Sequence, residues 1–117
     1  MEDRVTLQSE RIKAFAQYIQ EMDPYDHPIT VHHSSTLDKT WTPFLGDARF
    51  SVGSFQVNKV DLVETWRKKS TDAGVPLVIG MDEYFPDKTS PDNIDRHRKE
   101  YLWPIYLSGG NVEFILD

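Results

Sequence analysis

Two acidic residues stand directly after one of the most apolar runs in this chain. Pro76-Leu77-Val78-Ile79-Gly80-Met81 passes without a break into Asp82-Glu83, and Tyr84-Phe85 follow. A carboxylate at the end of a buried strand is partly desolvated and lies beside another carboxylate, and both effects shift its pKa. Glu83 in that setting suits a nucleophile or a general acid/base, and the two aromatic residues offer surface on which sugar rings stack. The plainer reading is that Asp82-Glu83 opens a solvated loop ahead of Pro86.

The other polar candidates also fall where apolar runs stop. Pro28-Ile29-Thr30-Val31 leads into His32-His33, and a run ending at Val57 leaves Gln56 and Asn58 at its close. Asp117 ends the last run. Adjacent residues of a strand face opposite ways, so only one of His32 and His33 can line a given pocket, which argues against both binding one metal. Either histidine could instead be a hydrogen-bonded structural residue. Gln56 becomes a substrate-binding group if Ser54 and Gln56 share the inner face of a barrel, and is otherwise an ordinary loop residue. Trp66 and Trp103 read as packing residues, while Trp41, in a connection, also suits a sugar platform.

These strand ends need elements to hold them. Ile12, Phe15, Ile19 and Met22 recur at helical spacing from about Leu7 to Met22, and Asp23-Pro24 stops the pattern. Residues Pro28 to His33 suit a short buried strand, Leu37 to Gly46 an irregular or short helical connection, and Arg49 to Val57 a second strand. Asn58 can cap a helix running roughly from Lys59 to Ala73, which Gly74 ends. Pro76 to Met81 is a strand covered on both faces. Ser90-Pro91 opens another helix, which Pro104 should kink or end. Ser108-Gly109-Gly110 reads as a helix stop; it resembles a phosphate-binding turn only superficially, since a strand, Val112 to Leu116, follows it. Alternating strands and helices with no hairpin signal predict an α/β fold with a parallel sheet and right-handed crossovers.

Composition narrows the function classes. The chain has 117 residues, 38% of them hydrophobic and 12% aromatic, which suffices for a packed core of one domain. With 13 Lys+Arg against 19 Asp+Glu the net charge is −6, unfavourable for a phosphate backbone. The clusters Arg67-Lys68-Lys69 and Arg96-His97-Arg98-Lys99 sit beside acidic residues in predicted helices and read as solvated helix faces. There is no cysteine for a disulfide or thiolate site, and no run approaches the roughly 20 apolar residues of a membrane span. Neither nucleic acid nor membrane is an expected partner, and no metal or other cofactor is expected. Cellular location stays open.

Several stretches together resemble one family. Met22-Asp23-Pro24-Tyr25-Asp26-His27-Pro28-Ile29-Thr30-Val31-His32, Leu45-Gly46-Asp47, Val78-Ile79-Gly80-Met81-Asp82-Glu83, and Arg98 through Leu107-Ser108-Gly109-Gly110-Asn111-Val112-Glu113 are similar to apiosidase-like (β/α)8 glycoside hydrolases of bacteria. The resemblance implies that residues 1–117 are a partial catalytic domain, half of a TIM barrel holding its strands five to eight, since a whole barrel takes roughly 250 residues. It implies Glu83 as the strand-seven nucleophile, with His32, Gln56 and Asp82 binding or orienting the carbohydrate substrate. The acid/base belongs at the end of strand four, in a Gly-Glu-Glu-Asn-like segment of which Glu2 is the only counterpart here. The isolated half is then expected to lack a complete site. It is also expected to associate with itself or with the N-terminal half, or else to flatten into a flavodoxin-like sheet. The alternatives are a carbohydrate-binding or scaffolding barrel without activity, and a small flavodoxin- or receiver-type domain, for which no phosphate loop is visible.

Overall fold

The computed structural model describes residues 4–33, 36–57, 59–84 and 91–114, and the side chains of 8–32, 36–57, 59–82 and 92–113 within them. The elements run in the order α1 (Arg4–Met22), β1 (His32–His33), α2 (Leu37–Trp41), a 3-10 turn (Thr42–Phe44), β2 (Val52–Phe55), α3 (Asp61–Asp72), β3 (Val78–Tyr84), α4 (Pro91–His97), a π-helical turn (Arg98–Leu102), α5 (Trp103–Leu107) and β4 (Gly110–Phe114). The four strands form one open sheet in the sequential order β1-β2-β3-β4, every neighbouring pair parallel. Sequential order departs from the flavodoxin-like order, in which the second strand precedes the first. The flattened, doubly wound arrangement is therefore not the one these strands adopt.

Side-chain alternation along the strands separates the two faces of this sheet. Phe55, Ile79 and Met81 are buried on one face, against Trp41, Phe44 and Phe50 of the first crossover, Val63 and Trp66 of α3, and Ile105 of α5. The opposite face carries Ser54, Gly80 and Asp82, together with Val78, which is 54% exposed. The expectation that β3 is covered on both faces is thus corrected: among the described residues, the helices cover only one.

Aromatic rings carry much of this core. Phe50, Phe44, Trp41, Phe55 and Trp66 form an unbroken series, with ring centroids 4.6, 5.9, 5.4 and 5.4 Å apart, three of the four contacts being edge-to-face. Such pairs contribute about 0.5–1.5 kcal/mol each beyond the area they bury. Trp41 is fully buried, which removes it from the candidate sugar platforms, and its Nε1–H donates to the Val31 carbonyl at 3.1 Å. That bond accounts for the shortness of β1. The expected strand from Pro28 to His33 is reduced to its last two residues, because the Val31 carbonyl serves the indole and the Ile29 amide donates to Arg49 O at 3.3 Å.

The second expected strand likewise narrows to Val52–Phe55, and Gly53 leaves the space into which the Phe55 ring folds. The helix expected from Lys59 begins at Asp61 without a side-chain cap; the cap assigned to Asn58 lies outside the described residues, as does Ser90 ahead of α4. Pro104 acts as its chemistry requires. With no N–H to donate, it cannot continue an α-helix, and its ring crowds the carbonyl of the preceding turn. The chain widens instead into a π turn in which the Trp103 amide reaches Arg98 O, and Pro104 then opens α5. Ser108-Gly109 ends α5 as a helix stop: Ser108 N donates to Pro104 O and Gly109 N to Tyr106 O, with Gly109 at φ 82°.

Arg49 ties α1 to the sheet layer. Its guanidinium donates to Asp47 Oδ1 at 2.8 Å and Oδ2 at 2.5 Å, and to the Lys13 carbonyl of α1 at 2.9 Å. Gly46, just before it, has φ 81°, and a Cβ there would come within 2.9 Å of the Ala73 carbonyl. Glycine is required on both counts. The two basic clusters are solvated helix faces only in part: Lys68 pairs with Asp72, Lys69 with Asp38, Arg96 with Glu100 and Lys99 with Asp95, whereas His97 is buried and Arg67 donates to the Ser108 carbonyl at 2.6 Å. No helix among the described residues is long and apolar enough to cross a membrane.

The hydrogen bonds from the Arg49 side chain, more than any other influence, hold the Asp47 carboxyl below its ordinary pKa. A depressed folded-state pKa adds stability that is fully present above the unfolded value of about 3.9 and is lost as pH falls through the folded one. Thermal unfolding followed from neutral to strongly acidic pH is expected to show a smaller acid-induced drop in Asp47→Asn than in the wild type. Asp23, held low chiefly by the His27 amide, keeps its share in both. Profiles that run parallel through the acid range would exclude the Asp47–Arg49 pair as a source of this dependence.

Candidate functional site

Parallel pairing brings the ends of β1, β2 and β3 to one rim, and the register decides which residues meet there. His32 is paired with Ser54, and Ser54 with Gly80, so all three project from the face away from the helices. Asp82 lies two residues beyond Gly80 and returns to that face. In α/β sheets this carboxyl rim is where ligands bind.

Three side chains meet at the rim. His32 Nδ1 lies 2.9 Å from Ser54 Oγ, and Ser54 Oγ donates to Asp82 Oδ2 through a short hydrogen bond. The direct separation of His32 Nδ1 from Asp82 Oδ2 is 3.8 Å, so the serine hydroxyl carries the link. Ser54 is 7% exposed, whereas the side chains of His32 and Asp82 are 44% and 28% exposed. A buried hydroxyl thus joins two groups that solvent and a ligand can reach.

Gly80 makes room for this contact. A Cβ on Gly80 would approach Asp82 Oδ1 to 2.9 Å and the Gly53 carbonyl to 3.3 Å. The missing side chain lets the Asp82 carboxylate lean back over the sheet toward β2. Asn111, paired with Gly80 from β4, is an exposed residue of the same face.

Of the residues expected from sequence, the structure joins His32 and Asp82. Gln56 follows the end of β2 and is partly buried, engaged in an interaction of its own. Glu83 belongs by its backbone to β3, in the stretch between Met81 and Tyr84 where pairing with β4 loses its regular register, as at a β-bulge. Bulges re-aim the side chains that follow and are frequent beside active sites. The side chains of Glu83 and His33, the whole of Glu2, and Asn58 and Asp117 lie outside the described residues. Ser54 is the residue that sequence reasoning passed over as a site member. It was legible only as the neighbour of Gln56, and what makes it central is a pairing register between strands more than 20 residues apart. Among the described residues, no group of three or more His, Asp or Glu side chains is arranged to hold a metal ion.

Comparison of the chain with known protein families, with curated proteins and with solved structures finds no match.

Gly80→Ala is expected to displace the Asp82 carboxylate and lower stability by about 1–2 kcal/mol, through overpacking and loss of a charge-assisted hydrogen bond. Urea unfolding measures it. An unchanged midpoint would mean that Asp82 gives way freely and that the contact with Ser54 contributes nothing to the fold.

Proposed function

We propose that the chain is the C-terminal half of a (β/α)8 barrel, strands five to eight, and that it contributes the nucleophile side of a glycoside hydrolase site. The observation that carries this reading is the linked His32–Ser54–Asp82 rim, set at the carboxyl ends of sequentially ordered parallel strands on the face that none of the described helices covers. A singly wound barrel has the same sequential order, keeps its helices outside, and works at this rim. Glu83, next after Asp82 in the irregular end of β3, is then the nucleophile.

The proposed chemistry follows from two carboxyl groups. The Glu83 carboxylate attacks the anomeric carbon to form a glycosyl ester, while an acid at the end of strand four, where Glu2 is the candidate, protonates the departing oxygen. The same acid, now a base, deprotonates the water that hydrolyses the ester. This retaining course requires the two carboxyl groups to stand about 5–5.5 Å apart.

Apolar helix flanks at both ends of the layer support completion of the arc. Phe15, Tyr18 and Met22 are exposed on α1, which packs on the crossover between β1 and β2, and Trp103, Tyr106 and Leu107 on α5, which packs on the edge strand β4. Uncovered strand edges and apolar flanks favour association. Four strands and their preceding helices from each of two copies would close an eight-stranded ring, with α1 of one copy against α5 of the other.

Two measurements test the proposal. In a barrel completed by strands one to four, Glu83→Gln is expected to abolish hydrolysis of an aryl glycoside while the thermal midpoint stays as it was; full turnover in the variant removes Glu83 from the mechanism. For the 117-residue chain by itself, light scattering is expected to give a dimer that Tyr18→Lys with Leu107→Lys weakens. A wild-type monomer at high concentration would rule out self-pairing.

A further inference from the structure

Gly80 is a gap in a row of polar residues. Parallel register sets His32, Ser54, Gly80 and Asn111 side by side across the strands on the open face, and at Gly80 there is no side chain. Asp82 fills the space from two residues further on: its Oδ1 lies 2.9 Å from where a Gly80 Cβ would stand, while its Oδ2 accepts from Ser54. One carboxylate oxygen is thus turned toward β2, and the other sits over the position registered beside Asn111. Neighbouring strands are about 4.8 Å apart, so the Asn111 side chain rises next to it.

The residues on either side of Asn111 fix its face. Val112 packs against the core, and a Cβ on Gly110 would come within 3.1 Å of Ile105 and Val63, so both point to the helices. Asn111, between them, is exposed on the opposite side.

We propose that Asp82 Oδ1 and the Asn111 amide form a two-point clamp for adjacent hydroxyl groups of a neutral sugar. The clamp rests on the reading of this rim as a carbohydrate site, and it adds β4 as a further wall of that site. An ionised carboxylate only accepts, whereas the asparagine Nδ2 donates. One hydroxyl therefore donates to Asp82 Oδ1, and the hydroxyl on the adjoining carbon accepts from Asn111. The Asp82 side chain, 28% exposed, is open to such a ligand. Ser54 is a positioning residue: by holding Oδ2 it fixes which carboxylate oxygen is offered.

The same groups select against charged ligands. A carboxylate or phosphate would meet the charge of Asp82 and that of Glu113, which alternation returns to the Asn111 face and which is also exposed. A hard cation takes about six or more oxygen ligands, and among the described residues no group of three or more His, Asp or Glu side chains is arranged to hold one.

Proton–nitrogen NMR of the 117-residue chain reads the clamp through the Asn111 side-chain amide and the backbone amides of Gly80 and Asp82. Methyl xylopyranoside, methyl arabinopyranoside and methyl galactopyranoside between them present equatorial and axial hydroxyl pairs, and at least one is expected to shift these signals saturably. Cyclohexanol, with one hydroxyl on a ring of the same size, is expected to leave them in place. Asn111→Ala is expected to weaken the sugar response about fivefold, as loss of one hydrogen bond does. Asn111→Asp, which keeps the shape and loses the donor, is expected to weaken it at least as much. Both replace an exposed side chain, so the fold is retained. No shift with any of these sugars, an equal response to cyclohexanol, full affinity in Asn111→Ala, or a saturable shift with calcium chloride in place of sugar would each overturn the proposal. Neither Glu83 nor turnover enters the readout, so a completed barrel that fails to hydrolyse removes the hydrolase reading and leaves this result standing.

Discussion

The indole of Trp41 is the contact on which the rest of this structure depends. Its ring stands in the middle of the aromatic series from Phe50 to Trp66, against Phe44 and Phe55, with no solvent exposure. Its Nε1–H is satisfied by the Val31 carbonyl, as a buried indole requires. One side chain thereby ties the first crossover to the core and fixes the backbone position directly before His32. That hydrogen bond ties the core to the strand that carries His32 to the polar rim.

From that anchor the alternation of the strands does the rest. Parallel register sets His32 beside Ser54 and Ser54 beside Gly80, and period-two geometry keeps Phe55, Ile79 and Met81 on the other face. Apolar packing under the sheet thus holds the polar groups above it in line. A slip of one residue between β2 and β3 would bury Asp82 and expose Met81, so the core specifies the rim's geometry. Gly80 adds the local condition, an empty side-chain position that the Asp82 carboxylate leans across.

At the far end of the sheet the backbone adjusts to two residues that do not fit regular structure. Pro104 turns one helix into an α4, π and α5 succession, and the irregular pairing after Met81 carries Asp82 and Glu83 away from the β3–β4 ladder. A π turn satisfies carbonyls that proline would strand, and an irregular strand end gives up ladder bonds where a polar rim begins. Both lie on the path between the sheet core and its exposed edge at β4.

The order of elements was legible in the residues themselves, because its signals are local. Helical spacing from Ile12 to Met22, the apolar run into Asp82, proline at 104 and glycine at 109 each act within a turn or two of chain. The same local signals overstated β1, whose length is limited by the Trp41 indole ten residues later, and gave both faces of β3 a cover that, among the described residues, only one of them has. His32 and Asp82 could be singled out as strand-end residues, but not as partners. Ser54 carried no signal of its own, since a serine in a short strand is chemically ordinary until register sets it between a histidine and a carboxylate. Sequence alone determined which residues end the strands. Tertiary structure decided which of those ends touch, because that depends on strand register, a property of pairing between distant segments.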